Sequence, residues 1–154
     1  MKAGDREKGI RYAVFLAFLL ILLGITSALR GLLLAPAFAA TAYLAVFTPD
    51  TPYTRPLGIV LSYLVVVGST EAFELVFGVT FLALVLNVVL VSLFITFSPF
   101  SHVPAIALTI FSYLVHDPYA FAVTSLVMTG VVAVEAFAIE RVPAVRRRLG
   151  LPDR

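Results

Sequence analysis

The chain has 154 residues, 61% hydrophobic and 13% charged, with a mean hydropathy of +1.05, whereas a soluble domain carries roughly 45–50% apolar and about 25% charged residues. That leaves too little polar surface to cover a globule in water, and ample apolar material without a low-complexity tract excludes disorder. A formal net charge of +2 and the absence of cysteine exclude disulfides, thiolate metal sites and cysteine nucleophiles, and residues 1–154 read as one integral membrane domain.

The basic residues flank the apolar runs. Lys2, Arg6, Lys8 and Arg11 precede the first, and Arg141, Arg146, Arg147, Arg148 and Arg154 follow the last, with only Arg30 and Arg55 between. A nucleic-acid-binding protein would spread its basic residues over a folded face with aromatic platforms among them. The flanking pattern instead predicts a cell-membrane protein whose main partner is the lipid bilayer, with both termini cytoplasmic. The first run is expected to stay uncleaved, since Ala28-Leu29-Arg30 is a poor signal-peptidase site.

Tyr12–Leu29 is an apolar run of about 18 residues, close to the minimum for one helical span. Gly31–Phe47 follows, interrupted by Pro36 and closed by a turn from Thr48 to Pro56 that holds three prolines. Leu57–Phe77 is a second span with Glu71 and Glu74 in its last turns, and Val79–Phe97 a third with Asn87 near its centre. Pro104–Val115, about 18 Å long as a helix, is too short to cross a hydrocarbon core about 30 Å thick. His116-Asp117-Pro118-Tyr119 breaks it, Ala120–Ile139 is the last span, and a basic tail occupies residues 141–154.

Two segments echo each other. Pro36-Ala37-Phe38-Ala39-Ala40-Thr41 matches Pro104-Ala105-Ile106-Ala107-Leu108-Thr109 at Pro, Ala, Ala and Thr. Pro52-Tyr53 then answers Pro118-Tyr119, and Glu71-Ala72-Phe73 answers Glu135-Ala136-Phe137. The order predicts two internal repeats, at about residues 12–77 and 79–140, each a long helix, a short helix opened by Pro and a long helix. If the short segments dip in and return, the fold is all-α with about four transmembrane helices, two re-entrant or broken half-helices and parallel halves. If they cross, there are six segments and the halves are inverted. The shortness of the second segment favours re-entry.

Pro is preorganised for the first helical turn, and a half-helix starting inside a membrane protein presents free N–H groups and a positive dipole end. Pro36 and Pro104, with Thr41 and Thr109 as nearby hydroxyls, are therefore candidate anion-binding residues. Capping by Ser101 or a carbonyl is the structural alternative. His102, two residues before Pro104, would add a titratable imidazole near neutral pH, and His116 reads as structural. Glu71 and Glu135 are candidate interior or coupling acids, because an ionisable residue inside a span is costly and functional by default. Asn87 reads as interhelical glue, and Arg146-Arg147-Arg148 as contacts to anionic headgroups. Two histidines without zinc-binding spacing give no metal site, and no catalytic motif appears, so neither enzyme chemistry nor a cofactor is expected.

The segment Ala39-Ala40-Thr41-Ala42 with Thr51-Pro52 and Arg55-Pro56-Leu57-Gly58, together with His102-Val103-Pro104-Ala105-Ile106-Ala107-Leu108-Thr109, resembles the HPP family of integral membrane proteins, named for a His-Pro-Pro motif. The resemblance runs from about Leu32 to Ile139. Val103 stands where the family has its middle Pro, Ile106 where it has Gly, and Leu57-Gly58 where it has Arg-Asn. Some members are linked to nitrite transport, so the resemblance implies a permease for a small inorganic anion, with His102 and Pro104 as site residues.

The sequence thus reads as a transporter or channel for a small inorganic anion held between half-helix N-termini near Pro36 and His102–Pro104, in a homo-oligomer because one chain has few helices to enclose a pore. Two rivals stay open: a proton-coupled or cation pathway through Glu71 and Glu135, and a membrane scaffold in which the small residues only pack.

Overall fold

The computed structural model describes residues 3–115 and 117–152. Lys2, Arg154 and His116, including the reading of His116 as structural, lie outside them. The described chain is helical: α1 Ala3–Ala28, α2 Ala35–Phe47, α3 Pro56–Phe77, α4 Phe81–Phe97, α5 Pro104–Ser112, α6 Pro118–Arg141 and α7 Pro143–Arg148, with 3₁₀ turns at Leu32–Leu34 and Pro52–Thr54. Proline sets most of the starts, since it lacks an N–H that the first turn would leave unpaired. It is the first residue of α3, α5, α6 and α7 and the second of α2. Side chains cap two starts: Thr80 accepts from Ala83 N (3.1 Å) at α4, and Asp117 from Ala120 N (3.0 Å) at α6, which also opens with proline. Gly78, at φ +67°, ends α3 in a conformation that side chains other than hydrogen resist.

Three helices, α1 from Gly4, α3 and α6, are long and apolar enough to cross a membrane, and Leu32–Phe47 and Phe81–Phe97 are shorter apolar helical segments. Their surfaces are inverted relative to a soluble protein. Tyr12, Leu20, Leu57, Leu75, Phe81, Leu82, Phe97 and Val134 are among the exposed apolar side chains, whereas Thr26, Thr41, Ser62, Thr70, Asn87, His102, Thr109, Ser112 and Glu135 are buried. On α4 the buried residues are Ala83, Asn87, Val91 and Ile95, one narrow stripe at a spacing of four, so the rest of that helix faces outward. An apolar exterior over a hydroxyl-rich interior is the arrangement a lipid solvent requires.

The bundle has two ends, and the chain alternates between them. Arg11 donates to Leu149 O (2.8 Å) and Arg146 pairs with Asp50 (3.4 Å), so the start of α1, the end of α2 and the C-terminal segment share one end, here the tail end. At the other, distal end, Arg30, Leu33, Leu114, Asp117 and Ala120 line one recess and Glu71, Gly78, Val79 and Pro118 another. At the tail end, Arg55 and Pro56 meet Phe137 and Glu140. Thus α2 descends from the distal end, α3 returns to it, α4 descends, α5 rises and α6 descends. Neither short segment turns back to the end it started from. Along this path α2 and α5 are short helices that each run from one end of the bundle toward the other. The path of α5 is completed by inward-dipping loops: Ser62 on α3 donates to Phe100 O (2.7 Å) before α5 begins.

Packing groups the helices as two trios. In one, α1, α2 and α6 touch each other pairwise; in the other, α4, α5 and α3 do. The α3–α6 and α2–α5 contacts join the trios. The turn from α1 to α2 lies against α6 so closely that a Cβ on Gly31 would sit 2.6 Å from Thr124.

The basic tail is not wholly a headgroup contact. Arg146 is only 2% exposed; it donates to Pro152 O (2.8 and 2.9 Å) and pairs with Asp50, while Leu149 and Leu151 are buried beside it. The reading of Arg146 as a lipid contact is therefore corrected, because its guanidinium ties the tail to the α2–α3 loop, whereas Arg147 and Arg148 remain exposed.

Two outcomes follow. A cysteine at Tyr53 is expected to label from the same side of sealed vesicles as one at Gly4, and one at Val79 from the opposite side; a re-entrant α2 requires the reverse, Val79 labelling with Gly4 and Tyr53 from the opposite side. Arg146→Ala is expected to cost on the order of 2–3 kcal/mol, the scale of hydrogen bonds to a charged group. Arg147→Ala should stay within about 0.5 kcal/mol, both read as thermal unfolding in detergent.

Candidate functional site

Two clusters and one isolated acid stand out among the buried polar side chains. The first cluster sits where α2, α3 and the α4–α5 loop meet. His102 is fully buried; its Nδ1 lies 2.7 Å from Tyr53 O and its Nε2 2.8 Å from Thr41 Oγ1. A carbonyl only accepts, so Nδ1 carries the proton and Nε2 of the neutral ring accepts from Thr41. Thr41 Oγ1 is also hydrogen-bonded to the Tyr63 hydroxyl, which reaches Ala37 O (3.1 Å). The Tyr63 ring packs edge-on against His102 (5.1 Å between centroids) and against Phe38 (4.8 Å). Every polar atom of this cluster has a partner inside the protein. His102 lies in a loop outside the helices, and its burial lowers the imidazole from an ordinary 6.5 to about 4, the Tyr53 carbonyl opposing the shift.

The second cluster joins α3, α4 and α5. Ser112 donates to Thr109 O (2.8 Å), Thr70 and Ser112 hydroxyls are 3.2 Å apart, and Asn87 Nδ2 reaches Thr70 Oγ1 (3.0 Å) and the Tyr113 hydroxyl (3.5 Å). Asn87 Oδ1 is buried and has no partner among the described residues. Glu135, on α6, is 1% exposed, and both its carboxyl oxygens lack a partner among the described residues. An ionised carboxylate there would have neither water nor a counter-charge, a state that costs several kcal/mol.

Of the residues expected at an anion site, the structure brings together Thr41, His102 and, at the start of α5, buried Pro104. It leaves Pro36 apart, exposed on the outer face near the distal end of α2. Thr109 belongs to the second cluster, with its hydroxyl turned back to Ala105 O (3.0 Å). The two half-helix N-termini point from opposite ends of the bundle and do not converge. Their first N–H groups are also occupied: Ala105 N bonds His102 O and Ile106 N bonds Val103 O, while Leu34 N bonds Gly31 O and Ala35 N bonds Leu32 O. Each short helix opens with bonds to the carbonyl three residues back, which occupy these first donors. Glu71 and Glu135 do not share one interior position either. Glu135 is buried towards the tail end of α6, and Glu71 is half-buried at the distal recess.

Tyr63, Ser62, Thr70, Ser112 and Tyr113 were not singled out by motif. A signal for most of them exists: Ser62, Tyr63, Val66 and Thr70 lie on the buried stripe of α3, and Thr124, Ser125, Thr129 and Glu135 on that of α6, so the polar face of each apolar helix is its interior face. No protein-family model, curated sequence or solved structure matches the chain.

A pH series tests the state of His102. A group held at about 4 when folded and at about 6.5 when unfolded binds fewer protons in the folded state, so stability is complete above about 6.5 and declines as pH falls toward 4. The full difference corresponds to roughly 3 kcal/mol. His102→Gln is expected to flatten this slope relative to wild type in thermal melts between pH 4 and 7, and an unchanged slope would show that His102 titrates normally.

Proposed function

We propose that this chain is a small membrane transport protein that moves protons or cations, with Glu135 as its interior acid. The observation that carries this reading is the buried, partnerless carboxyl of Glu135. A carboxyl in that position needs a proton or a bound cation to neutralise it, and exchange of that species is the elementary act of a coupled pathway. The alternative of an anion held between two half-helix N-termini needs free N–H donors that converge, and here they are bonded and point from opposite ends. A scaffold needs no orphaned acid, and an apolar residue at position 135 would serve it better.

The reading extends to an inverted repeat. Exchanging α1 with α4, α2 with α5 and α3 with α6 maps the trio α1–α2–α6 onto α4–α5–α3 and leaves the α3–α6 and α2–α5 seams in place. Three segments per half make the halves opposite in direction, as in transporters whose two repeats rock against each other. The long–short–long order in each half and the matched Glu71 and Glu135 support this relation.

The protein reconstituted in liposomes with an internal pH dye tests the proposal. Glu135→Gln, nearly isosteric, is expected to lower proton or cation flux at least ten-fold with the helical signal unchanged, and Glu71→Gln to lower it less. Full flux through Glu135→Gln, or flux of nitrite or chloride that does not respond to it, overturns the assignment.

A further inference from the structure

The recesses at the two ends of the bundle differ in charge. Of the two at the distal end, one holds Glu71 and Glu74 and the other holds Arg30 with Asp117. The recess at the tail end, about 310 Å³, is lined by Arg55, Pro56, Leu57, Phe137, Glu140 and Arg141. Arg55 directly precedes α3 and Arg141 closes α6, so the two guanidiniums come from either side of the α3–α6 seam. Glu140 lies 3.6 Å from Arg141, in an exposed pair of the kind that contributes little. Two arginines against one glutamate leave this recess with a net positive charge, at one end of two helices long and apolar enough to cross a membrane.

What continues from the recess is apolar and open. Leu57 and Phe137 are exposed, and by helical spacing Leu64 and Gly68 lie on the outward face of Leu57, and Gly130 on that of Phe137 and Arg141. All three are exposed, and a Cβ on either glycine would meet nothing within 4 Å. Gly68 is eleven residues from Leu57 and Gly130 eleven from Arg141, so each lies about 16 Å from the tail end of its helix. Because α3 and α6 run in opposite directions, both glycines fall at one depth, close to half of a hydrocarbon core about 30 Å thick. The outer side of the seam therefore carries two arginines at one end and an open apolar strip over the thickness of one lipid leaflet. A phospholipid of net negative charge has that same division: a phosphate that guanidinium forks bind well, and a chain as long as the strip. Basic pockets between membrane helices hold anionic headgroups in this way. A soluble anion would use the charged end alone, and a second copy related by a two-fold axis along the membrane normal would set arginines against arginines. We propose that this furrow binds one anionic phospholipid of the tail-end leaflet, its phosphate on Arg55 and Arg141 and an acyl chain along Leu57, Phe137 and the two glycines. The site does not depend on what the protein transports.

Native mass spectrometry of the delipidated full-length protein in detergent tests this, with phosphatidylglycerol as the probe and phosphatidylcholine of the same chains as the comparison. Wild type is expected to retain one phosphatidylglycerol about ten-fold more tightly than phosphatidylcholine. Arg55→Gln with Arg141→Gln should weaken that retention about ten-fold, whereas Arg147→Gln with Arg148→Gln, which removes the same charge from exposed positions at the same end, should change it by no more than about two-fold. Gly68→Leu with Gly130→Leu, two outward-facing changes, should weaken it several-fold by filling the strip; circular dichroism checks that each variant is folded. Equal losses in the two arginine pairs, or equal retention of the two lipids by wild type, show a general attraction to a basic end and overturn the site. Glycerol phosphate that displaces the lipid at equal concentration assigns the arginines to a soluble anion and overturns the lipid. A wild-type dimer that the glycine pair dissociates, with lipid retention unchanged, assigns the strip to a second copy and overturns the lipid as well.

Discussion

In a bundle whose exterior is apolar, every polar group in the interior has to find its partner within the protein, since lipid supplies none. Much of this structure is a solution to that condition. Hydroxyls inside helices turn back on their own backbone, as Thr26 does to Leu22 O (2.8 Å) and Thr129 to Ser125 O (2.6 Å), which satisfies them without tying helices together. The bonds that do tie helices together concentrate around α5. That helix has nine residues, about 14 Å of rise, far below the length at which an isolated helix is stable in water or spans hydrocarbon. It is held at one end by His102 against Thr41 and Tyr53, and at the other by Ser112 against Thr70. Single interhelical hydrogen bonds in membranes are worth about 0.6 kcal/mol on average, so a short helix needs several of them, and burial, to keep its place.

The same condition explains which parts of the structure were legible in the sequence. Apolar runs and prolines give the helices almost residue by residue: Leu57–Phe77 became Pro56–Phe77, and Val79–Phe97 became Phe81–Phe97. Pro104 marks the start of α5 because proline leaves no N–H to satisfy. Direction was not legible, because hydropathy is the same whether a short segment turns back or continues. What decides it is tertiary: the Ser62 bond to Phe100 O and the clasp at His102 draw the loop inward, so a helix too short to span is still part of a crossing path. Arg146 misled for a related reason. Three consecutive arginines read as one headgroup patch, yet on a helix successive residues point about 100° apart, and one of the three is directed at Asp50 and the Pro152 carbonyl.

Candidate residues divide by whether their hydrogen bonds close. His102 and Thr41 stand beside a helix start, and their hydrogen bonds close within the protein, fastening the start of α5 to α2 and the α2–α3 loop. Asn87 looked like glue, and its amide hydrogens do bind Thr70 and Tyr113, yet its oxygen is left over. Glu135 is legible as costly, and both of its carboxyl oxygens are buried without a partner among the described residues. A sequence lists the polar residues in apolar helices; only the three-dimensional count of donors and acceptors separates the satisfied from the unsatisfied.

The placement of the fastening bears on how such a bundle would move. The trio α1–α2–α6 meets the trio α4–α5–α3 along the α3–α6 and α2–α5 seams. Among the described helices, the side-chain hydrogen bonds that cross from one trio to the other run through Thr41, Tyr63 and His102. All of them are neutral, and all lie on the tail-end side of α5. Rocking one trio on the other would therefore have to open this network first, leaving a neutral imidazole, a hydroxyl and a phenol to find other partners. Glu135 lies on α6, towards that same end, in the trio opposite to His102. The clasp thus spans the seam from Thr41, in the trio of Glu135, to Tyr63 and His102, while the acids of the distal recess, Glu71 and Glu74, belong to the other trio. A rigid displacement of one trio against the other at this end has to break these neutral bonds, so the network holds the seam closed there through several weak contacts that act together.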